Sequence, residues 1–217
     1  MSNLILKLGF KNDDMTLYIL GSSNDDKGTQ LEPLTFRLLE NLGFTNIVCN
    51  EIGSGGHEID VRAEYSLLGL GGVEKRPIVC ECKAHRNPTS MSDWLKFLGK
   101  VLLEEQRGNV DAYFIALSGV NGNVSGNYRD LQHSKNNIRL ITGESLVERL
   151  SEIFTLKPAA EIELIINNFT RRTQTEISHC YYELEMFYLV GFSENQYTLV
   201  SNAGVLLGLQ QAEKFAQ

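Results

Sequence analysis

The sequence predicts an α/β domain built on a mixed β-sheet, followed by a smaller α+β unit. Three observations lead there. Apolar residues recur with helical spacing in some stretches and with period two in others, and the two kinds of stretch are interleaved. The connections between the early strands are too short for a helix, whereas one later connection is a long amphipathic helix, so the sheet mixes antiparallel and parallel pairs. After Lys157-Pro158 the character changes to one helix and an apolar hairpin. With 217 residues, 42% hydrophobic and 22% charged, the chain can bury one good core and a small second unit.

Taken in order, residues 1–27 read as an arm of short strands, Leu4–Leu6 and Met15–Leu20, followed by a polar loop from Gly21 to Gly28. Thr29 opens a helix whose stripe is Leu31, Leu34, Leu38, Leu39 and Leu42. Thr29-x-x-Glu32 has the form of a capping box, and Gly43 is a natural stop. A strand surrounds Ile47-Val48-Cys49. Gly53-Ser54-Gly55-Gly56 is a permissive turn that lacks the Lys-Ser/Thr of a P-loop and leads into a strand, not a helix. From His57 the chain alternates, with Ile59, Val61 and Ala63 on one face and Asp60, Arg62 and Glu64 on the other. Residues 66–76, rich in glycine, read as a loop.

The next strand, Pro77-Ile78-Val79-Cys80-Glu81-Cys82-Lys83, directs Ile78, Cys80 and Cys82 to one face and Val79, Glu81 and Lys83 to the other. After Asn87-Pro88 a helix spans about 90–107, with a stripe of Met91, Trp94, Leu95, Leu98, Val101 and Leu102. Ala112–Leu117 is a strand covered on both faces. A short helix at 127–133, a strand at 138–141 and a helix ending near Phe154 close the domain, 28–156. The remainder, 157–217, is an α+β appendage: a helix at 159–172, strands at 180–190 and 196–201, and a helix at 205–216. It reads as though it leads into a longer chain.

Two ionisable groups two apart on a mostly apolar strand face need a partner, because an unpaired buried charge is costly. Asp60 on the preceding strand supplies a second acid. Magnesium prefers oxygen ligands and keeps several waters, so Asp60, Glu81 and the main-chain carbonyl of Cys82 suffice to bind it. Lys83 then orients a water and stabilises phosphate charge, which is what phosphodiester hydrolysis asks for. On spacing alone, Glu81 and Lys83 equally make an exposed cross-strand charge pair. Lys96 and Lys100, one turn apart on the following helix, either contact nucleic-acid phosphate or line a solvated face. Cys80-x-Cys82-x-x-His85 lacks the second cysteine pair of a zinc site, and the four cysteines read as reduced, buried thiols. No G-x-S-x-G elbow supports a serine hydrolase.

Asp60, a gap of about twenty residues and Glu81-Cys82-Lys83 together resemble the PD-(D/E)xK restriction-endonuclease superfamily. Over 28–150 the chain looks most like the Mrr-type catalytic domain. The resemblance includes the Glu32 helix, Leu42-Gly43-Phe44, the glycine run before Asp60, the helix with Gly99, Ala112–Leu117 and Ile141–Leu150. It implies a restriction-endonuclease-like core and a Mg-dependent endonuclease acting on DNA, with Mn as a substitute ion, in prokaryotic restriction or anti-phage defence. It also implies Glu32 approaching the metal from the first helix. Arg86, just past the strand and beside the expected site, is a candidate to meet a phosphate. An ATPase or sensor module in the same chain or operon, and a homo-oligomer, are the expected partners. The alternatives are a catalytically weak nucleic-acid-binding or assembly module and an RNA-directed nuclease. Two positions depart from the family pattern: Ile59 stands where the superfamily's name has proline, and His57-Glu58 replace small residues.

The net charge of -7 argues against a non-specific nucleic-acid coat but leaves room for a locally basic edge along residues 83–107. No apolar run approaches a membrane span, and the N-terminus carries no signal-peptide pattern, so the expected location is the cytoplasm with no membrane partner.

Overall fold

The structure is a computed structural model that describes residues 11–12, 15–21, 24–53, 56–85, 87–192 and 196–207. The Leu4–Leu6 strand and residues 208–216 of the expected last helix lie outside them, as does Arg86. The described elements are β1 (Lys11–Asn12), β2 (Met15–Ile19), α1 (Asn24–Asn41), β3 (Thr45–Ile52), β4 (Glu58–Gly69) and β5 (Gly72–Lys83), then α2 (Met91–Glu105), β6 (Asp111–Ala116), α3 (Gly122–Leu131), β7 (Ile138–Thr142), α4 (Gly143–Phe154), α5 (Ala159–Asn167), β8 (Gln174–Tyr182), β9 (Glu185–Phe192) and β10 (Gln196–Ser201). They form two compact units, residues 31–143 and residues 1–30 with 144–217.

The first unit holds a mixed sheet in the order β3-β4-β5-β6-β7. β3, β4 and β5 form an antiparallel meander, while β5, β6 and β7 are parallel. This is the arrangement expected from two loop connections followed by helical crossovers. The β4–β5 hairpin is longer than the sequence suggests. Residues 66–76, expected as a loop, continue both strands, and the ladder runs from Val61↔Cys80 to Gly69↔Gly72. Only Leu70 and Gly71 are left to turn, and Gly72 takes a φ of 115° that favours glycine. The glycines here make a tight hairpin.

One sheet face packs on α2. Trp94, Phe97 and Phe114 form an aromatic cluster, with Trp94 edge-on to Phe114 at 5.3 Å and Phe97 at 5.0 Å from Phe114. Ile59, Val79, Val101, Val110 and Ile138 surround it. The buried stripe of α2 is therefore Trp94, Phe97, Val101 and Glu104, whereas Leu95 and Leu102 of the expected stripe are exposed. The helix carries apolar residues on two faces, and the aromatic pair decides which is buried. Trp94 Nε1 donates to Asn127 Oδ1 at 2.7 Å, so its burial leaves no orphan donor. α2 is capped by Ser90, whose hydroxyl accepts from the Asp93 amide.

The opposite face carries Cys80 and Cys82. Thr35 of α1 lies 3.4 Å from the Cys82 sulfur, and Leu31, Leu34, Leu38 and Leu39 of α1 are buried as the stripe predicts. α1 itself begins earlier than expected, at Asn24. Thr29 is inside the helix and donates to the Asp26 carbonyl, so the anticipated capping box does not form. α3 likewise starts at Gly122, behind an Asn121 cap, rather than at 127.

The second unit is a sheet in the order β1-β2-β8-β9-β10, with β2 parallel to β8 and the other pairs antiparallel. The N-terminal strands and the C-terminal strands thus share one sheet. The run Cys180–Val190, expected as one strand, is split by a two-residue turn. Glu183 and Leu184 take φ of 45° and 70°, conformations that neither residue type advertises. Ile162 and Ile166 of α5 pack with Ile177, Tyr188, Val190, Phe192 and Val200. Tyr18, Leu20, Cys180, Phe187, Leu189 and Leu199 form the other cluster. α5 ends at Asn167 rather than near 172. Among the described residues no helix is long and apolar enough to cross a membrane.

Candidate active site

β5 carries the site because its alternation serves packing and chemistry together. Ile78, Val79 and Cys80 are buried on the two faces and fix the strand between α1 and α2. Glu81 continues Val79's face and is itself 5% exposed. A carboxylate that deep needs cations. Lys83 supplies one, with its Nζ 2.6 Å from Glu81 Oε1. Lys100 of α2 supplies another, 2.5 Å from Glu81 Oε2. Both carboxylate oxygens of Glu81 are therefore held. Burial pulls the Lys83 ammonium toward deprotonation, but Glu81, with Asp60 and Asp93 behind it, outweighs this and raises its pKa.

Asp60 reaches the same place from β4. The β4–β5 ladder ends at Val61↔Cys80. Beyond it the Cys82 amide donates to Asp60 Oδ2 at 2.7 Å. Ile59 leaves the face expected of it and joins Val79 in the α2-side core. The two strands part where the acids sit, and the Cys82 amide turns to a side chain. Burial, then the charge of Glu81, raises the Asp60 pKa against that hydrogen bond and the two lysines.

Glu32, freed from any capping role, completes the group from α1. Burial raises its pKa first, and Asp60 and Glu58 add to this, while a hydrogen bond with Asn50 opposes it. Asp60 is thus coupled to Glu81 on one side and to Glu32 on the other, with Lys83 and Lys100 beside it. The donor chemistry of these carboxylates fits a hard divalent cation such as magnesium or manganese. No group of three or more His, Cys, Asp or Glu side chains among the described residues is placed to hold an ion unaided. Burial pushes the Cys80 and Cys82 thiols up, so the strand's other face carries neutral thiols in the metal-free chain.

The other residues singled out in the sequence divide. Lys100 is in the site, paired to Glu81, rather than on a solvated face. Lys96 is exposed on α2 and His85 exposed past β5, while Arg86 is outside the described residues. A second cluster was missed. Glu104 is 4% exposed on α2. Arg62 donates to its Oε2 at 2.7 Å, and His57 Nε2 lies 3.3 Å from its Oε1. Arg62 also meets Glu51 at 2.5 Å. Burial alone would raise the Glu104 pKa, but Arg62 and then His57 bring it below the usual carboxylate value. The available signal was position, because Glu104 falls on the Trp94-Phe97-Val101 stripe.

A meander continued by parallel strands, with an acid on the second strand and Glu-x-Lys on the third, defines a restriction-endonuclease-like core. The comparison with family models matches residues 25–150 to Mrr_cat, described as a restriction endonuclease. The chain belongs to this Mrr-type restriction endonuclease family. No curated protein matches it. A solved structure described as a protein of unknown function, AF1548, is similar at 20% identity and a TM-score of 0.43, covering 65% of this chain and 77% of its own. A likeness so distant transfers nothing.

Proposed function

We propose that the chain is a metal-dependent endonuclease that hydrolyses DNA phosphodiester bonds. In this reading Asp60 and Glu81 hold Mg2+, for which Mn2+ substitutes, with the Cys82 main-chain carbonyl as a further ligand. The ion neutralises phosphate charge and supplies an acidified water. Lys83 orients the attacking water and stabilises charge on the phosphate, and Glu32 assists from α1. Lys96 and Arg86 are assigned to the DNA backbone. The observation that carries the reading is the meeting of Asp60, Glu81 and Lys83, the last 2.6 Å from Glu81, inside a chain of the restriction endonuclease family. A role in prokaryotic restriction or anti-phage defence in the cytoplasm, beside an ATPase or sensor module and as a homo-oligomer, belongs to the same proposal.

Plasmid DNA and RNA incubated with Mg2+, Mn2+ or chelator test it. The intact chain cleaves DNA only with metal, while Lys83→Ala and Asp60→Ala lose roughly a hundredfold or more, as expected when charge stabilisation in the transition state is removed. Metal-dependent cleavage that survives both substitutions refutes the assignment. Cleavage of RNA alone transfers it to an RNA-directed nuclease. Binding without cleavage marks a nucleic-acid-binding module.

A further inference from the structure

Lys100 is a cation of the site that the Glu-x-Lys pattern does not contain. It comes from α2, seventeen residues after Lys83 in number and on a different element, yet takes the second oxygen of Glu81 at 2.5 Å. The two lysines are not equivalent. Lys83 is fixed on the same strand as Glu81 and is drawn further by Asp60 and Asp93. Lys100 hangs from a helix whose next turn carries another buried acid, Glu104. Glu81, Lys100 and Glu104 line one small cleft, with Ile59, Val79, Cys80 and Phe97 as its apolar walls. Within it, Glu104 Oε2 is held by Arg62, while Oε1 makes no hydrogen bond and has the His57 ring 3.3 Å away as its neighbour. A lysine beside two buried carboxylates, the second with an oxygen that makes no hydrogen bond, has a second place to rest.

We infer that Lys100 is an exchangeable counter-ion: it neutralises Glu81 when no divalent ion is bound, and swings toward Glu104 when one is. The inference rests on the metal reading of Asp60 and Glu81 proposed above. Its physical basis is competition. An ammonium and a divalent ion at the same carboxylate oxygen repel each other and compete for its charge, so metal binding to the lysine-paired form weakens or breaks a charge-assisted hydrogen bond. Lys100 is thereby a positioning residue, which sets the metal affinity of the centre and keeps the buried acid charge-balanced between loadings.

Mn2+ binding to the full chain, followed by electron paramagnetic resonance without nucleic acid, tests this. Lys100→Met binds Mn2+ more tightly than the unsubstituted chain, on the order of tenfold, the scale of one charged hydrogen bond. Lys100→Arg, which keeps the charge, stays near the unsubstituted value. Glu81→Gln weakens binding with or without Lys100→Met. If Lys100→Met binds equally or more weakly while Glu81→Gln still weakens binding, the exchange is overturned and the metal reading stands. If Glu81→Gln leaves Mn2+ affinity unchanged, the metal reading falls and the exchange falls with it. A second measurement uses the unsubstituted side chains. In the chain with 13C-dimethylated lysines, the Lys100 resonance, assigned from Lys100→Arg, shifts on Mg2+ addition with the midpoint of metal binding. A Lys100 signal that does not move at saturating Mg2+ overturns the exchange even if Lys100→Met does not fold.

Discussion

Arg62→Met isolates the buried Glu104 charge. The side chain of Glu104 is 3% exposed and that of Arg62 is 20% exposed. Methionine keeps most of the apolar stem of Arg62 and removes the guanidinium, so lost packing is small. Removing one partner of a buried ion pair costs about 3–5 kcal/mol, since the remaining charge is stranded. Two features reduce that here. Arg62 is partly in water, and His57 stays 3.3 Å from Glu104 Oε1. A loss of about 2 kcal/mol is expected, discounted from that range. For a chain of this length it lowers Tm by about 4–8 °C. Urea unfolding and calorimetry measure both. Glu104→Gln added to Arg62→Met removes the stranded charge and recovers at least half of the loss. An Arg62→Met change smaller than about 0.5 kcal/mol, the scatter of ordinary surface substitutions, refutes the reasoning. So does a double variant less stable than the single one.

Two further outcomes follow from buried titratable groups. His179 of β8 is buried against Tyr188, with neither ring nitrogen hydrogen-bonded, and burial lowers its pKa from 6.5 to about 4. The unfolded chain therefore binds the proton first, and stability falls as pH drops from about 6.5 to about 4, by up to about 3 kcal/mol; His179→Leu flattens that limb of the pH–stability curve, and an unchanged slope rejects the account. Asp60 is held above its usual pKa by burial and Glu81, so its ionised form strains the metal-free fold at neutral pH. Asp60→Asn, which still accepts the Cys82 amide, raises the Tm of the chelated protein, and a lowered Tm contradicts it.

How much was legible depended on whether the information was local. The site strand was, because period two alone separates Cys80 and Cys82 from Val79 and Glu81, and the structure puts these pairs on opposite faces. The parallel pairing of β5 with β6 followed from the length of the intervening helix. Local signals misled where two meanings share one pattern. Thr29-x-x-Glu32 has the residues of a capping box, yet α1 starts five residues earlier and runs through Gly28, so Glu32 is available to the acid group. Gly69, Gly71 and Gly72 suggest a loop, but alternation on both sides of them continues into a hairpin. The Glu183–Leu184 turn had no sequence mark at all, since its left-handed conformations are adopted by residues that do not favour them. Lys100 and Glu104 were illegible for a different reason. Each looks like ordinary helix charge, and only the packing of Trp94 and Phe97 rotates that face of α2 onto β5 and β4.

That packing also explains how the chain accommodates its departure from the family pattern. His57 and Glu58 stand where small residues are expected, at the mouth of the β3–β4 turn. His57 is not left loose there: its ring lies beside Glu104, and its carbonyl accepts the Gly53 amide at 2.7 Å. The space for the ring comes from Gly53. A Cβ at that position would fall 2.7 Å from His57 Nε2 and 2.8 Å from Glu104 Oε1. A side chain at 53 would thus have to displace the His57 ring and the Glu104 carboxylate from each other. Glu104 in turn is tolerated because Arg62 sits two residues after Asp60 on β4 and brings a cation to the buried helix face. The turn, the acid-bearing strand and α2 are tied by the His57–Glu104–Arg62 cluster on one side of Lys100, and by Glu81 and Lys83 on the other. His57 is therefore held by a buried charge network on the helix that also carries Lys100, the partner of Glu81. Changes at His57 should be felt at Glu81 through α2 rather than through direct contact.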